Sequence, residues 1–299
     1  MRHFLKISDL NNEEFLYLLK RTKKIKNSFQ SHQQLKTLLD STLVMIFEKQ
    51  STRTRLSFEV GIGQMGGRAV YLNTRDTQLG RGETIEDAAK VISRMCNLVM
   101  IRTYEQNTIE KFADNSKVPV INGLTNQYHP CQILADVFTF IEHRETIENK
   151  KVTWVGDKNN VCNSWIEAAS LLNFNLSISC PLKYFDDCKL SKNVEYVEDP
   201  ILACTDSDLI TTDVWTSMGY EEEKKERTEA FRNWRVTREI MSLASPNALF
   251  MHCLPAHRGE EVDSEVIDGS QSVVWDEAEN RLHVQKALME FLLLGKQNL

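Results

Sequence analysis

The run EKQSTRTRLSFE, which follows the apolar stretch Leu43 to Phe47, crowds hydroxyls and guanidiniums into a short space. Ser51 and Thr52 are residue types that cap a helix start, where free backbone N–H groups and the positive end of the helix dipole converge on one point. Arg53 adds a planar guanidinium able to grip two phosphate oxygens, and Thr54 adds a further hydroxyl. The set suits an oxyanion; the same residues also suit an ordinary capped helix with exposed arginines. In NQYHPCQILAD, His129 and Gln132 stand one turn apart at an expected helix start, with Pro130 at a favoured first position. Taken alone, that pair fits a capping arrangement as well as a ligand pair. Arg102 closes the run LVMIR and Arg281 lies in ENRLHVQKA, and single arginines are usually solvated or salt-bridged. The glycines of GIGQMG (Gly61, Gly63, Gly66) have the spacing of a dinucleotide fingerprint, but they follow a helix-patterned segment and precede a strand. That is the reverse of the order such a site needs, so they predict a helix end and a turn.

The elements that must position these residues alternate. After an amphipathic helix carrying Phe15, Leu16, Leu18 and Leu19, β-rich runs at Leu43 to Phe47, Ala69 to Leu72, Leu98 to Ile101 and Val118 to Ile121 each lead through a polar loop into a helix-patterned segment. The second half repeats the scheme, with strands expected at Val152 to Val155, Leu176 to Ser179, Leu209 to Thr212, Leu249 to Cys253 and Val273 to Trp275. The pattern predicts an α/β protein of two doubly wound parallel-sheet domains joined by helices, with the active site in the cleft between them. A helix from about His129 to Arg144 and the charged stretch after it place the boundary near Asn149. This gives domains at 1–148 and 149–276, with a C-terminal helical segment, 277–299, packing back on the first.

Composition narrows the function. The 299 residues carry 36 Lys+Arg against 42 Asp+Glu, a formal net charge of −6, which argues against a nucleic-acid surface. Seven scattered cysteines (Cys96, Cys131, Cys162, Cys180, Cys188, Cys204, Cys253), odd in number and without a CxxC pair, favour reduced thiols over a disulfide framework or structural zinc. No apolar run is long enough for a bilayer and the opening MRHFLKISDL lacks a signal-type stretch, so a soluble, cytoplasmic protein is expected.

STRTR, GETIEDAA, HPxQ, DVWTSMG and HCLP occur in an order that resembles the ornithine carbamoyltransferases, and the likeness runs from RHFL to NRLHVQKA. STRTR and HPxQ are shared with aspartate carbamoyltransferases; the acceptor is read from DVWTSMG and HCLP, where aspartate enzymes carry HPLPR. The resemblance implies transfer of the carbamoyl group of carbamoyl phosphate to ornithine, within arginine metabolism. It implies that Ser51, Thr52, Arg53 and Thr54 hold the phosphate and that Arg102, His129, Gln132, Gln78 and Arg281 surround the carbamoyl group. Asn160, Asp213, Ser217 and Met218 would hold ornithine, and Cys253 with Leu254 would lie where the substrates meet. Arg102, His129 and Cys253 are the catalytic candidates. It further implies a homotrimer in which the loop of Gln78 reaches a neighbouring site. Cys131 in HPxQ and Lys158 in GDKNN are departures that touch no expected contact.

No metal or cofactor is expected, since closely spaced His and carboxylate ligand motifs are missing from the sequence. Cys253 with His252 as base could instead form a thioester. Neighbouring strand residues point to opposite faces, however, so an orienting role for Cys253 is expected. Rival readings are a carbamoyltransferase for acetylornithine or putrescine, a non-catalytic phosphate sensor, and, last, a nucleotide-dependent oxidoreductase.

Overall fold

The computed structural model describes residues 1–74, 82–185, 190–216 and 221–297. The fold divides into two compact units, one made of Met1–Leu134 with Glu279–Leu299 and the other of Ala135–Ala278.

Unit 1 contains α1 (Asn12–Gln30), β1 (Thr42–Phe47), α2 (Thr52–Gln64), β2 (Arg68–Asn73), α3 (Ile85–Ile92), β3 (Leu98–Arg102), α4 (Gln106–Asn115) and β4 (Val120–Leu124). The strands are all parallel, in the order β2-β1-β3-β4. Parallel neighbours need a crossover, and helices supply it, so the central strands are covered on both faces and read as unbroken apolar runs. In β1 every residue from Leu43 to Phe47 is buried. Val44 and Ile46 share a core with Val99, Ile101, Ile109 and Phe112. The edge strand β2 is only partly covered.

The chain passes to unit 2 within α5 (Pro130–Arg144) and returns within α11 (Val274–Leu294). The charged stretch from which the sequence reading draws a boundary follows α5, whereas the division of the fold lies inside that helix, where an unbroken helical pattern leaves no compositional mark.

Unit 2 contains β5 (Lys151–Val155), α6 (Asn160–Leu172), β6 (Asn175–Ser179), β7 (Val194–Tyr196), α7 (Pro200–Cys204), β8 (Leu209–Thr212), α8 (Lys224–Ala230), α9 (Arg238–Leu243), β9 (Leu249–His252) and α10 (Ser264–Ile267). Its parallel sheet runs β7-β6-β5-β8-β9. The structure departs from the sequence reading at two places here. The three-residue β7 was not anticipated, because so short a run shows no usable alternation. Val273 to Trp275 is not a strand: a single bridge joins Ser272 to Phe250, and α11 begins at Val274. The β-branched valines there still bury, Val274 in the core with Phe250 and Ile267, so burial is satisfied without a ladder.

Both sheets reverse their strand order at one place, between β1 and β3 in the first and between β5 and β8 in the second. Loops leaving the carboxyl ends of such strands diverge, which opens a crevice for ligands. The loop after β1 leads into STRTR at the start of α2, and the loop after β3 follows Arg102; the loop after β5 leads through GDKN into α6, and the loop after β8 carries Asp213.

Candidate active site

In unit 1, Ser51 is the N-cap of α2, its side chain accepting from the Thr54 N–H at 3.2 Å. Gly61 and Gly63 lie inside that helix, and Gly66, at φ +91°, makes the turn into β2. The GIGQMG stretch is thus a helix end, as the element order requires. Arg102 pairs in register with Phe47 at the carboxyl ends of adjacent strands, so its side chain emerges beside the start of α2. Thr54 is fully buried, and its Oγ accepts from Arg281 Nη2 at 2.9 Å and faces Arg102 Nη1 at 3.4 Å. One hydroxyl therefore orients guanidiniums from β3 and α11.

His129 immediately precedes α5, and the Gln132 N–H closes the first turn on the His129 carbonyl at 3.1 Å. Burial, followed by the nearby Arg281, Arg102 and Arg53 charges, holds its imidazole well below the usual pKa, so it is neutral at pH 7. A neutral imidazole among three fixed cations can donate one hydrogen bond without adding a fourth charge. Unit 1 thus brings together Ser51, Arg53, Thr54, Arg102, His129 and Arg281. Gln132, also buried, lies on the first turn of α5. Cys131, buried and pushed up to about 12, is inert at neutral pH and bonds the Asn122 carbonyl at 3.3 Å. Gln78 lies outside the described residues.

In unit 2, β5 is followed by Gly156, whose φ of +122° suits glycine, and the loop then reaches the N-cap Asn159. The Asn159 Oδ1 accepts from the Val161 and Cys162 N–H groups at 2.9 and 3.2 Å, while its Nδ2 donates to Asp213 Oδ2 at 2.7 Å. Asp213 Oδ1 accepts from the Val214 N–H at 2.8 Å and from the Cys253 thiol at 3.1 Å. Asn160, which opens α6, stands beside this network. Ser217 and Met218, like Cys188, lie outside the described residues.

His252 engages groups other than the thiol through both ring nitrogens. Its Nδ1 accepts from the Leu254 N–H at 2.9 Å and its Nε2 faces Glu261 Oε1 at 3.1 Å, both side chains fully buried. The Cys253 thiol is driven well above its ordinary pKa by burial and by Asp213, so it stays protonated and donates. A thioester nucleophile requires a thiolate with a base beside it, which is the opposite arrangement. The ligand atoms of Asp213, His252 and Cys253 lie within 4.8 Å of one another, but both ring nitrogens of His252 are already engaged. Among the described residues, no helix is long and apolar enough to cross a membrane.

Sequence reasoning passed over Asn159, taking its neighbour Asn160 instead. The signal was present, as asparagine one residue before an apolar helical run is a cap. It also passed over Arg227 and Glu261, which lie in charge-dense stretches without a motif.

The family model described as aspartate/ornithine carbamoyltransferase, carbamoyl-P binding domain, matches residues 2–142, and that of the Asp/Orn binding domain matches 148–292. The chain belongs to the aspartate/ornithine carbamoyltransferase family. The first match spans STRTR and HPCQ, and the second spans GDKNN, Asp213 and HCLP. A relative from Methylobacillus flagellatus, an ornithine carbamoyltransferase, is 61% identical over 99% of this chain and 98% of its own length. Among solved structures, the ornithine carbamoyltransferase of Burkholderia thailandensis E264 is 57% identical with TM-score 0.93, covering 99% of this chain and 100% of that one. The enzyme from Pyrococcus furiosus is 44% identical with TM-score 0.94, covering 99% and 98%.

Proposed function

We propose that this carbamoyltransferase moves the carbamoyl group of carbamoyl phosphate to the δ-amine of L-ornithine, giving L-citrulline and phosphate, in arginine metabolism. The observation that carries this reading is the pairing of a neutral His129 with the three charges of Arg53, Arg102 and Arg281 at a helix start. A phosphorylated acyl compound needs both parts: fixed positive charge for the dianion and uncharged or delocalised donors for the carbonyl oxygen as it gains charge.

In this reading Ser51, Thr52, Arg53 and Thr54 bind phosphate through side chains and the α2 amide groups. Arg102, His129 and Gln132 face the carbamoyl group, with Arg281 oriented by Thr54. Gln78 completes the pocket from a neighbouring subunit of a homotrimer, and the protein works in the cytoplasm. Asn160, Asp213, Ser217 and Met218 hold ornithine, and Cys253 with Leu254 lies where the two substrates meet.

The attacking amine has an ordinary pKa near 10.4, so neutralising it at pH 7 costs about 4–5 kcal/mol. Asp213 supplies the acceptor for the α-ammonium, which leaves the δ-amine free to be aimed; holding both reactants in register can lower the barrier by up to about 7–11 kcal/mol. The departing phosphate takes the proton. Cys253 acts through its hydrogen bond to Asp213, as an orienting thiol. The amino-acid set of Asn160, Asp213 and Cys253 disfavours a phosphate sensor, which needs no such set.

Purified protein supplied with carbamoyl phosphate and, separately, ornithine, acetylornithine, putrescine and aspartate tests the choice of acceptor by ureido-product assay. Citrulline should exceed every other product by at least about a hundredfold, and its absence would defeat the proposal.

A further inference from the structure

One side chain of unit 2 touches both loops that carry the amino-acid residues, and it belongs to neither. Arg227 lies on α8. Its Nη2 is 2.5 Å from Asp157 Oδ2, in the loop after β5. Its Nε donates to the Trp215 carbonyl at 2.7 Å, in the loop after β8. Nη1 also faces Glu223 at 3.5 Å. The guanidinium carbon stands 4.9 Å from the Tyr184 ring centre and 5.7 Å from that of Phe231, so aromatic faces fix its plane. Only 12% of the Arg227 side chain and 11% of Asp157 remain exposed, which distinguishes the pair from a solvated surface bridge.

Each contact point is one short step from a residue of the site. The Asp157 carbonyl accepts from Trp154 Nε1 and from the Asn159 N–H, at 2.9 and 2.8 Å, and Asn159 in turn holds Asp213. Trp215 stands two residues after Asp213 and two before Ser217.

We propose that Arg227 is a positioning residue for the amino-acid acceptor: by bridging Asp157 and the Trp215 backbone, it fixes the loop of Asp157 and Asn159, which leads into Asn160, against the loop of Asp213 to Trp215. This rests on the ornithine reading given above. The planar fork matters, because carboxylate and carbonyl are reached by different nitrogens of one rigid group, which a lysine ammonium cannot reproduce. The bridge is also sensitive to acid. Burial raises the Asp157 carboxyl to about 6 against the lowering effect of Arg227, with Asp213 and Glu223 as its other charged neighbours. As pH falls through about 6, Asp157 takes a proton and the ion pair is lost.

Steady-state kinetics on the full-length wild type, Arg227→Lys, Arg227→Gln, Asp157→Asn and the Arg227→Gln/Asp157→Asn double variant test this. Arg227→Gln should raise KM for ornithine about tenfold or more while KM for carbamoyl phosphate stays within about twofold. Arg227→Lys should fall between, and the double variant should be no worse than the worse single one, because both remove the same pair. The inhibition constant of L-norvaline, which lacks the δ-amine and its titration, should weaken from pH 7.5 to 5.5 in the wild type and stay flat in Asp157→Asn. If Arg227→Gln does not fold, Arg227→Lys and Asp157→Asn carry the same comparison. Equal effects on both substrates, unchanged ornithine KM, or identical norvaline profiles would each overturn the positioning role. A wild type that makes no citrulline would instead overturn the ornithine reading.

Discussion

In unit 1 the guanidiniums of Arg281, Arg102 and Arg53 surround an imidazole, and in unit 2 the carboxylates of Asp213, Glu277 and Asp136 surround a thiol. Burial first, and then the charge of each cluster, keeps the central group uncharged, in the first case by opposing an added proton and in the second by retaining one. The contrast indicates what each awaits. A ring of cations is completed by a dianion, and a thiol among carboxylates is completed by an ammonium. Substrate charge thereby supplies the missing half of each balance, and neither His129 nor Cys253 has to change protonation for its partner to bind.

The most severe way to break this contrast is Arg53→Ala, which removes a cation from the first cluster. It should lower kcat/KM for carbamoyl phosphate by about a thousandfold, or about 4 kcal/mol, and leave binding of ornithine analogues little changed; calorimetry with each ligand checks the split. Next is Arg21→Met. Arg21 Nε and Nη2 meet Glu290 at 2.5 and 2.8 Å in the interior of unit 1, and stranding that carboxylate should cost about 3 kcal/mol in denaturant unfolding. If KM for either substrate shifted more than stability, the separation of scaffold from site in unit 1 would be wrong.

Cys253→Ser acts on the second cluster alone. Replacing the thiol by a hydroxyl keeps a donor to Asp213 with altered length, so ornithine use should weaken about tenfold to a hundredfold while turnover persists. Complete loss together with a trapped carbamoyl-enzyme would revive the nucleophile. The smallest expected effect concerns Lys286, a buried cation of unit 1 outside the cradle, with its Nζ 4.8 Å from the Phe29 ring centre. Burial and then Lys36 lower it to about 8 from 10.5. The folded protein therefore releases this proton before the unfolded chain does, and stability from this group rises with pH between about 8 and 10.5. Lys286→Met should stabilise by about 1–2 kcal/mol at pH 7, after allowance for solvent screening, and by less at pH 10.5. Paired melts at the two pH values measure it.

Much of this is legible in the sequence. Apolar runs such as Leu98 to Ile101 mark buried parallel strands because both of their faces are covered. STRTR and HPCQ announce helix starts through residue types that satisfy orphan amides. Less legible was whatever depends on partners distant in sequence. Nothing in the composition around Thr54 says that Arg281, 227 positions later, will bond its hydroxyl. Nothing in KKERTEA singles out Arg227 from its charged neighbours. Val273 to Trp275 misled for a related reason: local β-propensity was real, but burial against Phe250 and Ile267 could be achieved by a helix.

Arg281 is the eighth residue of a helix that runs 21 residues without interruption. Each residue turns such a helix by about 100°. Removing one alanine upstream would alter neither charge nor hydropathy appreciably, yet the guanidinium would swing far from Thr54. Screens for natural or laboratory length variants should consequently find insertions and deletions tolerated in surface loops and purged between Val274 and Arg281, where a count of residues is itself part of the chemistry.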